Sequence, residues 1–190
     1  GRAAGGLISG LIVLEHPEIV EKIALVGFGG FGRRGTWLLW VISIPVLGNI
    51  VYQTLVNENM GITKHLFHRP PDILEELLPE MNRRGQLPGV RIAALHSTHS
   101  NITLRGVLKD RYILERLKDS EVPLMTVWGS EDKIIPVRHA EDVCRNRPDS
   151  IVQIIPECRH WPQMGKPLVF NTLLTHFLDE KKPQPGLQAS

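Results

Sequence analysis

The stretch VPLMTVWGSEDKIIP, residues 122–136, places an acidic residue directly after a strongly apolar run. Such a continuous apolar run is typical of a strand that is covered on both faces of a parallel sheet. Two similar runs occur in the chain, KIALVG at residues 22–27 and SIVQIIP at residues 150–156. We therefore expect three parallel strands, with Asp132 just beyond the end of the second.

Helical patterns alternate with these runs. LISGLIVLEHPE at residues 7–18 reads as an apolar helix that Pro17 ends, and the amphipathic RHAEDVCRN follows at residues 138–146. PLVFNTLLTHFL at residues 167–178 predicts a closing helix. Because crossovers between parallel strands are nearly always right-handed, the three strands should lie side by side with helices on both faces. The predicted fold class is α/β and doubly wound.

Composition narrows the class of protein. The 190 residues suit one ordinary domain, and 42% hydrophobic residues are enough for a packed core. A formal charge of +2, without a basic stripe interleaved with aromatics, argues against a nucleic-acid partner. Cys144 and Cys158 are the only cysteines, which fits a reducing compartment and predicts a cytoplasmic location.

Residues 35–57 carry no charge and are long enough to cross a bilayer. Pro45, Gly48 and Asn49 interrupt the stretch, so we predict two short apolar helices and regard membrane contact as disfavoured. The wider region 29–119 has helical segments and no convincing strand, and we interpret it as a helical cap inserted into the core. Its predicted pocket-lining residues are Trp37, Leu38, Trp40, Val41 and Ile44.

The remaining ranges complete the predicted domain organisation. Residues 1–28 supply a turn, a helix and a strand of the core, and residues 120–180 supply the last core strands and helices. Residues 181–190 form a polar, proline-bearing tail that we predict to be mobile. No internal repeat is visible in the chain.

An acid and an imidazole follow neighbouring strands. Asp132 comes after the second predicted strand and His160 after the third. Because sites form at the carboxyl ends of parallel strands, the two side chains can meet at one edge of the sheet. GRAAGG at residues 1–6 has the pattern G-x-A-x-G, which differs from the nucleophile turn G-x-S-x-G in one side-chain oxygen. The chain order of Ala3, Asp132 and His160 is that of a nucleophile, an acid and a base.

The chain resembles the α/β-hydrolase family, and in its HWPQ motif it is most similar to carbon–carbon bond hydrolases and esterases. The resemblance covers residues 1–27, 122–136 and 154–167, and it implies a partial α/β-hydrolase fold with an inserted cap. It further implies that Asp132 is the triad acid, His160 the base, Ala3 the occupant of the nucleophile position and the Ala4 amide part of the oxyanion hole. The family has strands before the nucleophile turn, so we expect this chain to be the C-terminal portion of a longer protein.

The residue at the nucleophile position makes activity doubtful. A methyl group cannot attack a carbonyl, and loss of a triad serine costs on the order of a million-fold in rate. The sequence therefore predicts an inactive chain, in which Ala3 is either natural or an engineered replacement. The alternative is a ligand-binding protein on the same fold that never turns its ligand over.

Three further positions depart from the family pattern. Arg159 precedes His160 where glycine is common, Gly165 stands where an acid is often found, and Arg2 replaces a small polar residue. A cation beside His160 would oppose the positive charge that the imidazole acquires in catalysis, unless the guanidinium points away. Cys158 is close to His160 in sequence, but we interpret it as a small buried hydrophobe and not as a substitute nucleophile.

No metal or cofactor is predicted. The histidine pairs at i, i+3 spacing lack a third ligand, and no H-E-x-x-H occurs; these pairs are His65 with His68 and His96 with His99. The expected partner is a small-molecule substrate. The oligomeric state is left open.

Overall fold

The structure is a computed structural model that describes residues 1–29, 41–57, 65–103, 106–107, 112–180 and 186–189. The helices and strands of this part of the chain are, in order, α1 (Ala4–Glu15), β1 (Ile23–Val26), α2 (Pro45–Asn57), α3 (Ile73–Gly85), α4 (Pro88–Asn101), β2 (Ile102–Thr103), β3 (Gly106–Val107), α5 (Leu114–Leu117), β4 (Leu124–Gly129), α6 (Arg138–Asn146), β5 (Ile151–Ile155), α7 (Pro162–Gly165), α8 (Pro167–Asp179) and β6 (Gly186–Ala189). A short 3-10 helix, Pro17–Ile19, follows α1.

The central sheet is parallel, with the strand order β1, β4, β5, β6. The pairing places Ile23 beside Leu124, and Met125 beside Ile151. The three strands expected from the apolar runs therefore lie side by side, and the predicted α/β fold class is confirmed. Their carboxyl ends lie at the same edge of the sheet, which is where ligand sites form in such folds.

Both faces of the sheet are covered, which explains why β1, β4 and β5 are mostly apolar. All six residues of β4 are buried. On one face Trp128 belongs to a core cluster with Val13 of α1 and Val143 of α6. On the other face Met125 belongs to a cluster with Phe177 of α8. Side chains alternate between the two faces along a strand, so a strand between two helical layers carries apolar residues on both of its faces.

Three strands lie where the sequence predicted none. Within residues 29–119, β2 and β3 form an antiparallel pair in which Ile102 lies opposite Val107 and Thr103 opposite Gly106. The expectation of no strand in this region is therefore wrong, because two-residue strands are too short to produce a recognisable apolar pattern. In the tail predicted as mobile, Gly186–Ala189 pairs in parallel with β5. Backbone pairing does not require an apolar sequence, and so the pattern gave no signal.

The helices of the region 29–119 contact one another through polar side chains. The hydroxyl of Tyr52 on α2 donates to the carbonyl of Gly85 at the end of α3 at 3.0 Å. Arg91 of α4 donates to the Asn49 side chain at 3.5 Å. Within the described ranges, none of the helices combines the length and the apolar character that a membrane crossing requires.

A buried arginine holds the junction between α5, β4 and β5. Arg147 is 2% exposed and donates from Nη1 to the Leu117 carbonyl at 2.6 Å and from Nη2 to the Val122 carbonyl at 3.2 Å. It also pairs with Asp149 through two hydrogen bonds of 2.9 and 2.7 Å, which lower the pKa of that carboxyl group. This pair therefore stabilises the fold above the ordinary aspartate pKa, and the contribution is lost as the pH falls through the lowered value.

We expect Arg147→Met to lower the free energy of unfolding by about 3 kcal/mol, because the Leu117 and Val122 carbonyls lose a buried donor and Asp149 loses its charged partner. Urea unfolding at neutral pH measures this change. The matched control is Arg145→Met, since the Arg145 side chain is 68% exposed and pairs with Asp142 on the same helix. Its removal should cost no more than about 0.5 kcal/mol. Equal losses in the two variants would contradict this account.

Candidate active site

The imidazole of His160 and the carboxylate of Asp132 are in hydrogen-bond contact. His160 Nδ1 lies 2.8 Å from Asp132 Oδ2, and both residues are buried. An ionised carboxylate can only accept, so Nδ1 carries the proton and Nε2 is left as the basic nitrogen. This is the arrangement in which an acid fixes the tautomer of a histidine base.

Backbone donors fix the acid in its place. Asp132 Oδ1 accepts hydrogen bonds from the amides of Ile134 and Ile135, each at 2.8 Å. The carboxylate is therefore saturated by two amides and one imidazole, as a buried charge must be. The Asp132 loop is in turn joined to the His160 loop by the Glu131 amide, which donates to the Cys158 carbonyl at 2.9 Å.

Gly27 lies against this pair, directly after β1. An added Cβ at Gly27 would lie 3.1 Å from His160 Nδ1 and 3.2 Å from Asp132 Oδ2, and the residue has φ +48°. Glycine is therefore needed here both for the space and for the backbone conformation. In the sequence, the position of Gly27 directly after a predicted strand is the signal for this contact.

The turn around Ala3 lies at the same edge of the sheet. Ala3 has φ 47° and ψ −120°, a strained conformation for a residue other than glycine. Its amide donates to the Val26 carbonyl at 3.2 Å, so the turn is fixed to the carboxyl end of β1. A Cβ at Gly1 would collide with the Gly5 carbonyl, whereas a Cβ at Gly5 would meet open space. Only the first glycine of G-x-A-x-G is thus required sterically.

Ala4 is the first residue of α1, and its amide N–H belongs to the first turn of that helix. First-turn amides have no acceptor within the helix and can serve a developing oxyanion. This position fits the role that the resemblance implies for Ala4.

Arg2 connects the turn to the histidine loop. Its guanidinium carbon lies 4.6 Å from the centre of the Trp161 ring, and Trp161 directly follows His160. Burial lowers the pKa of Arg2, and the attraction of the Asp132 carboxylate raises it in part. Arg2 and Trp161, the chain neighbours of Ala3 and His160, are therefore in contact. The guanidinium of Arg2 places a fixed positive charge beside the acid–histidine pair.

The structure explains why Arg159 is tolerated before His160. Its Nη1 donates to the Phe67 carbonyl at 3.0 Å, and its Nε lies 3.6 Å from Glu131 Oε2. The guanidinium is thus directed to a carboxylate and a carbonyl.

Gly165 has room for a side chain, since an added Cβ would be 3.6 Å from Phe67. Nothing in the structure requires glycine there.

Cys158 is unsuited to nucleophilic attack. It is 2% exposed, and burial raises its pKa to about 11. Its thiol therefore stays protonated at neutral pH, and a protonated thiol is a poor nucleophile.

The predicted pocket residues fall largely outside the described part of the chain. Trp37, Leu38 and Trp40 lie in residues 30–40, and only Val41 and Ile44 are described, both half-buried. A cavity of about 180 Å³ lies between residues 66–69 and 157–159. A larger groove of about 750 Å³ lies at the opposite end of the strands, away from Ala3, Asp132 and His160.

Metal binding has no support among the side chains that the structure describes. No group of three or more His, Cys, Asp or Glu residues is placed there to hold an ion.

Several known proteins to which this chain is similar are hydrolases. A 2-hydroxy-6-oxononadienedioate/2-hydroxy-6-oxononatrienedioate hydrolase from a Pseudomonas species is 24% identical over 94% of this chain and 61% of its own length. The 2-hydroxy-6-oxo-6-phenylhexa-2,4-dienoate hydrolase of Rhodococcus sp. strain RHA1 superposes with a TM-score of 0.77 at 17% identity, over 95% of this chain and 63% of that one. A thermophilic esterase superposes with a TM-score of 0.63 at 24% identity, over 94% and 64%. No protein-family model matches the chain.

These comparisons establish the class of fold. The similar proteins are carbon–carbon bond hydrolases and esterases with the α/β-hydrolase fold, and this chain has part of that fold. The chain spans about three fifths of the length of the curated relatives it matches.

We expect Gly27→Ala to weaken the hydrogen bond between His160 and Asp132 and to lower the free energy of unfolding by about 1–2 kcal/mol. The new methyl group must displace one of the two side chains, and alanine is strained at this φ. The low-field proton resonance of the imidazole Nδ1–H reports the hydrogen bond. The control Gly89→Ala, where a Cβ meets open space in α4, should leave that resonance unchanged. An unaltered resonance in Gly27→Ala would contradict the close contact.

Proposed function

We propose that this fold serves the hydrolysis of a small, largely apolar substrate at an ester or a carbon–carbon bond, through a Ser-His-Asp type mechanism. The hydrogen bond of 2.8 Å between His160 and Asp132, buried at the carboxyl edge of the sheet, is the observation that carries the proposal. Similarity to hydrolases of both bond types, at low identity, supports it.

The proposed chemistry assigns one role to each group. A serine hydroxyl is a poor nucleophile, so the free Nε2 of His160 must take its proton as attack proceeds. Asp132 holds the imidazole in the required tautomer and stabilises its positive charge. The amide of Ala4 donates to the oxyanion that forms on the attacked carbonyl. Residues 29–119 act as the cap over the substrate.

Alanine at position 3 lacks the side-chain oxygen that would react, although the turn is formed. Its φ of 47° shows that the strained conformation persists with a methyl side chain. A methyl group has no proton to give to His160 and no lone pair with which to attack. We therefore propose that the chain, with alanine at this position, is catalytically inactive.

A non-catalytic ligand-binding protein is the second candidate. The observation that favours it is the Arg2 guanidinium, stacked on Trp161 beside the acid–histidine pair. A fixed cation there opposes the positive charge that His160 must acquire during catalysis. In this case the site would retain a ligand without turning it over.

Restoring the hydroxyl group discriminates between the two candidates. We expect Ala3→Ser to react covalently with a fluorophosphonate probe, which labels serine residues that a histidine activates, while the chain with Ala3 stays unlabelled. Intact-protein mass spectrometry measures the labelled fraction. Hydrolysis of short aryl esters should appear in the same variant.

The control combines Ala3→Ser with His160→Gln, which keeps the hydroxyl and removes the base. Labelling should fall by at least about a thousand-fold in this double variant. An Ala3→Ser protein that stays unlabelled although it is folded and binds small aryl ligands would favour the binding function instead.

A further inference from the structure

Both residues that flank His160 in the chain are bound by residues 66–67, which lie more than 90 positions earlier. The amide of Trp161 donates to the Leu66 carbonyl at 3.2 Å. Arg159 Nη1 donates to the Phe67 carbonyl at 3.0 Å. The Phe67 and Trp161 rings meet edge to face, with their centres 5.5 Å apart. The position of His160 therefore depends on a segment outside the core strands.

Glu131 joins that segment to the loop that carries the acid. Its Oε2 accepts a hydrogen bond from His68 Nδ1 at 2.9 Å and lies 3.6 Å from Arg159 Nε. Its own amide donates to the Cys158 carbonyl, and the next residue in the chain is Asp132. One carboxylate thus contacts both the segment at residues 66–68 and the histidine loop.

These contacts form a network and not an isolated surface pair. The side chains of Arg159, His68 and Glu131 are 19, 28 and 38% exposed. The hydrogen bond from His68 and the charge of Arg159 lower the pKa of Glu131, so the carboxylate stays ionised at neutral pH. Exposed ion pairs contribute little singly, whereas several charges in a partly buried network act together.

We propose that Glu131 is a positioning residue, which ties residues 66–68 and Arg159 to the Asp132 loop and so holds the His160 imidazole in place. We call Glu131, His68 and Arg159 the Glu131 clamp. The proposal rests on the proposed function in one respect. A fixed His160 imidazole changes reactivity only where a nucleophile stands at position 3. The clamp itself can be tested in the chain as it is.

Amide hydrogen exchange followed by NMR tests the clamp without any catalysis. Glu131→Gln keeps the size of the side chain and removes its charge. We expect the exchange rate of the Trp161 amide to rise about tenfold or more, because the segment that carries its acceptor is released. Amides of β4 should keep their rates. A general loss of stability would instead accelerate all of them together.

Two further variants sharpen the result. Glu157→Gln is the matched control, because Glu157 lies two residues from Arg159 and pairs with Lys166 at 3.2 Å outside the clamp. It should leave the Trp161 amide unchanged. His68→Phe combined with Glu131→Gln should add little to the single change, since both remove the hydrogen bond between His68 and Glu131. An unchanged Trp161 amide in Glu131→Gln would overturn the clamp.

The link to chemistry is tested in the Ala3→Ser background. There we expect Glu131→Gln to slow fluorophosphonate labelling about tenfold, and Glu157→Gln to leave it unchanged. If Ala3→Ser is not labelled, the proposed function fails while the exchange experiment still decides the clamp. If labelling keeps its rate although the Trp161 amide exchanges faster, the clamp holds the segment but does not position His160, and the proposal is overturned.

Discussion

The hydrogen bond between His160 and Asp132 depends on two parallel strands that end at one edge of the sheet. Asp132 follows β4 and His160 follows β5, and the two strands pair from Met125 beside Ile151 to Gly129 beside Ile155. A buried carboxylate is tolerated only when its oxygens are saturated, and here the imidazole and the amides of Ile134 and Ile135 complete the set. The loops that follow β4 and β5 therefore adopt conformations that bring hydrogen-bond donors to the Asp132 carboxylate.

The backbone at Ala3 and at Gly27 is fixed by contacts that do not involve a reactive side chain. The strained backbone at Ala3 persists without a reactive side chain, because it is fixed by the hydrogen bond to Val26 and by the start of α1. Gly27 in turn leaves room for the acid–histidine pair whether or not a nucleophile faces it. The backbone contacts at Ala3 and the space at Gly27 therefore fix this edge of the sheet independently of the side chain at position 3.

The region between β1 and β4 contacts the residues next to His160 through its backbone. Leu66 and Phe67 offer their carbonyls to the residues on either side of His160, and their side chains belong to a small core that Trp161 also joins. These contacts join residues 66–67 to the chain neighbours of His160.

The sequence by itself determined the three apolar strands, the helices around them and the placement of Asp132 and His160 after neighbouring strands. These features follow from short-range patterns, since burial on both faces requires continuous apolar runs and parallel strands end at a common edge. The contact of Glu131 with His68 spans 63 residues, and that of Arg159 with Phe67 spans 92. Strands β2 and β6 depend on backbone pairing, which no side-chain pattern records. Only the tertiary structure decided these, because such contacts arise from how distant segments pack and not from the residues adjacent in the chain.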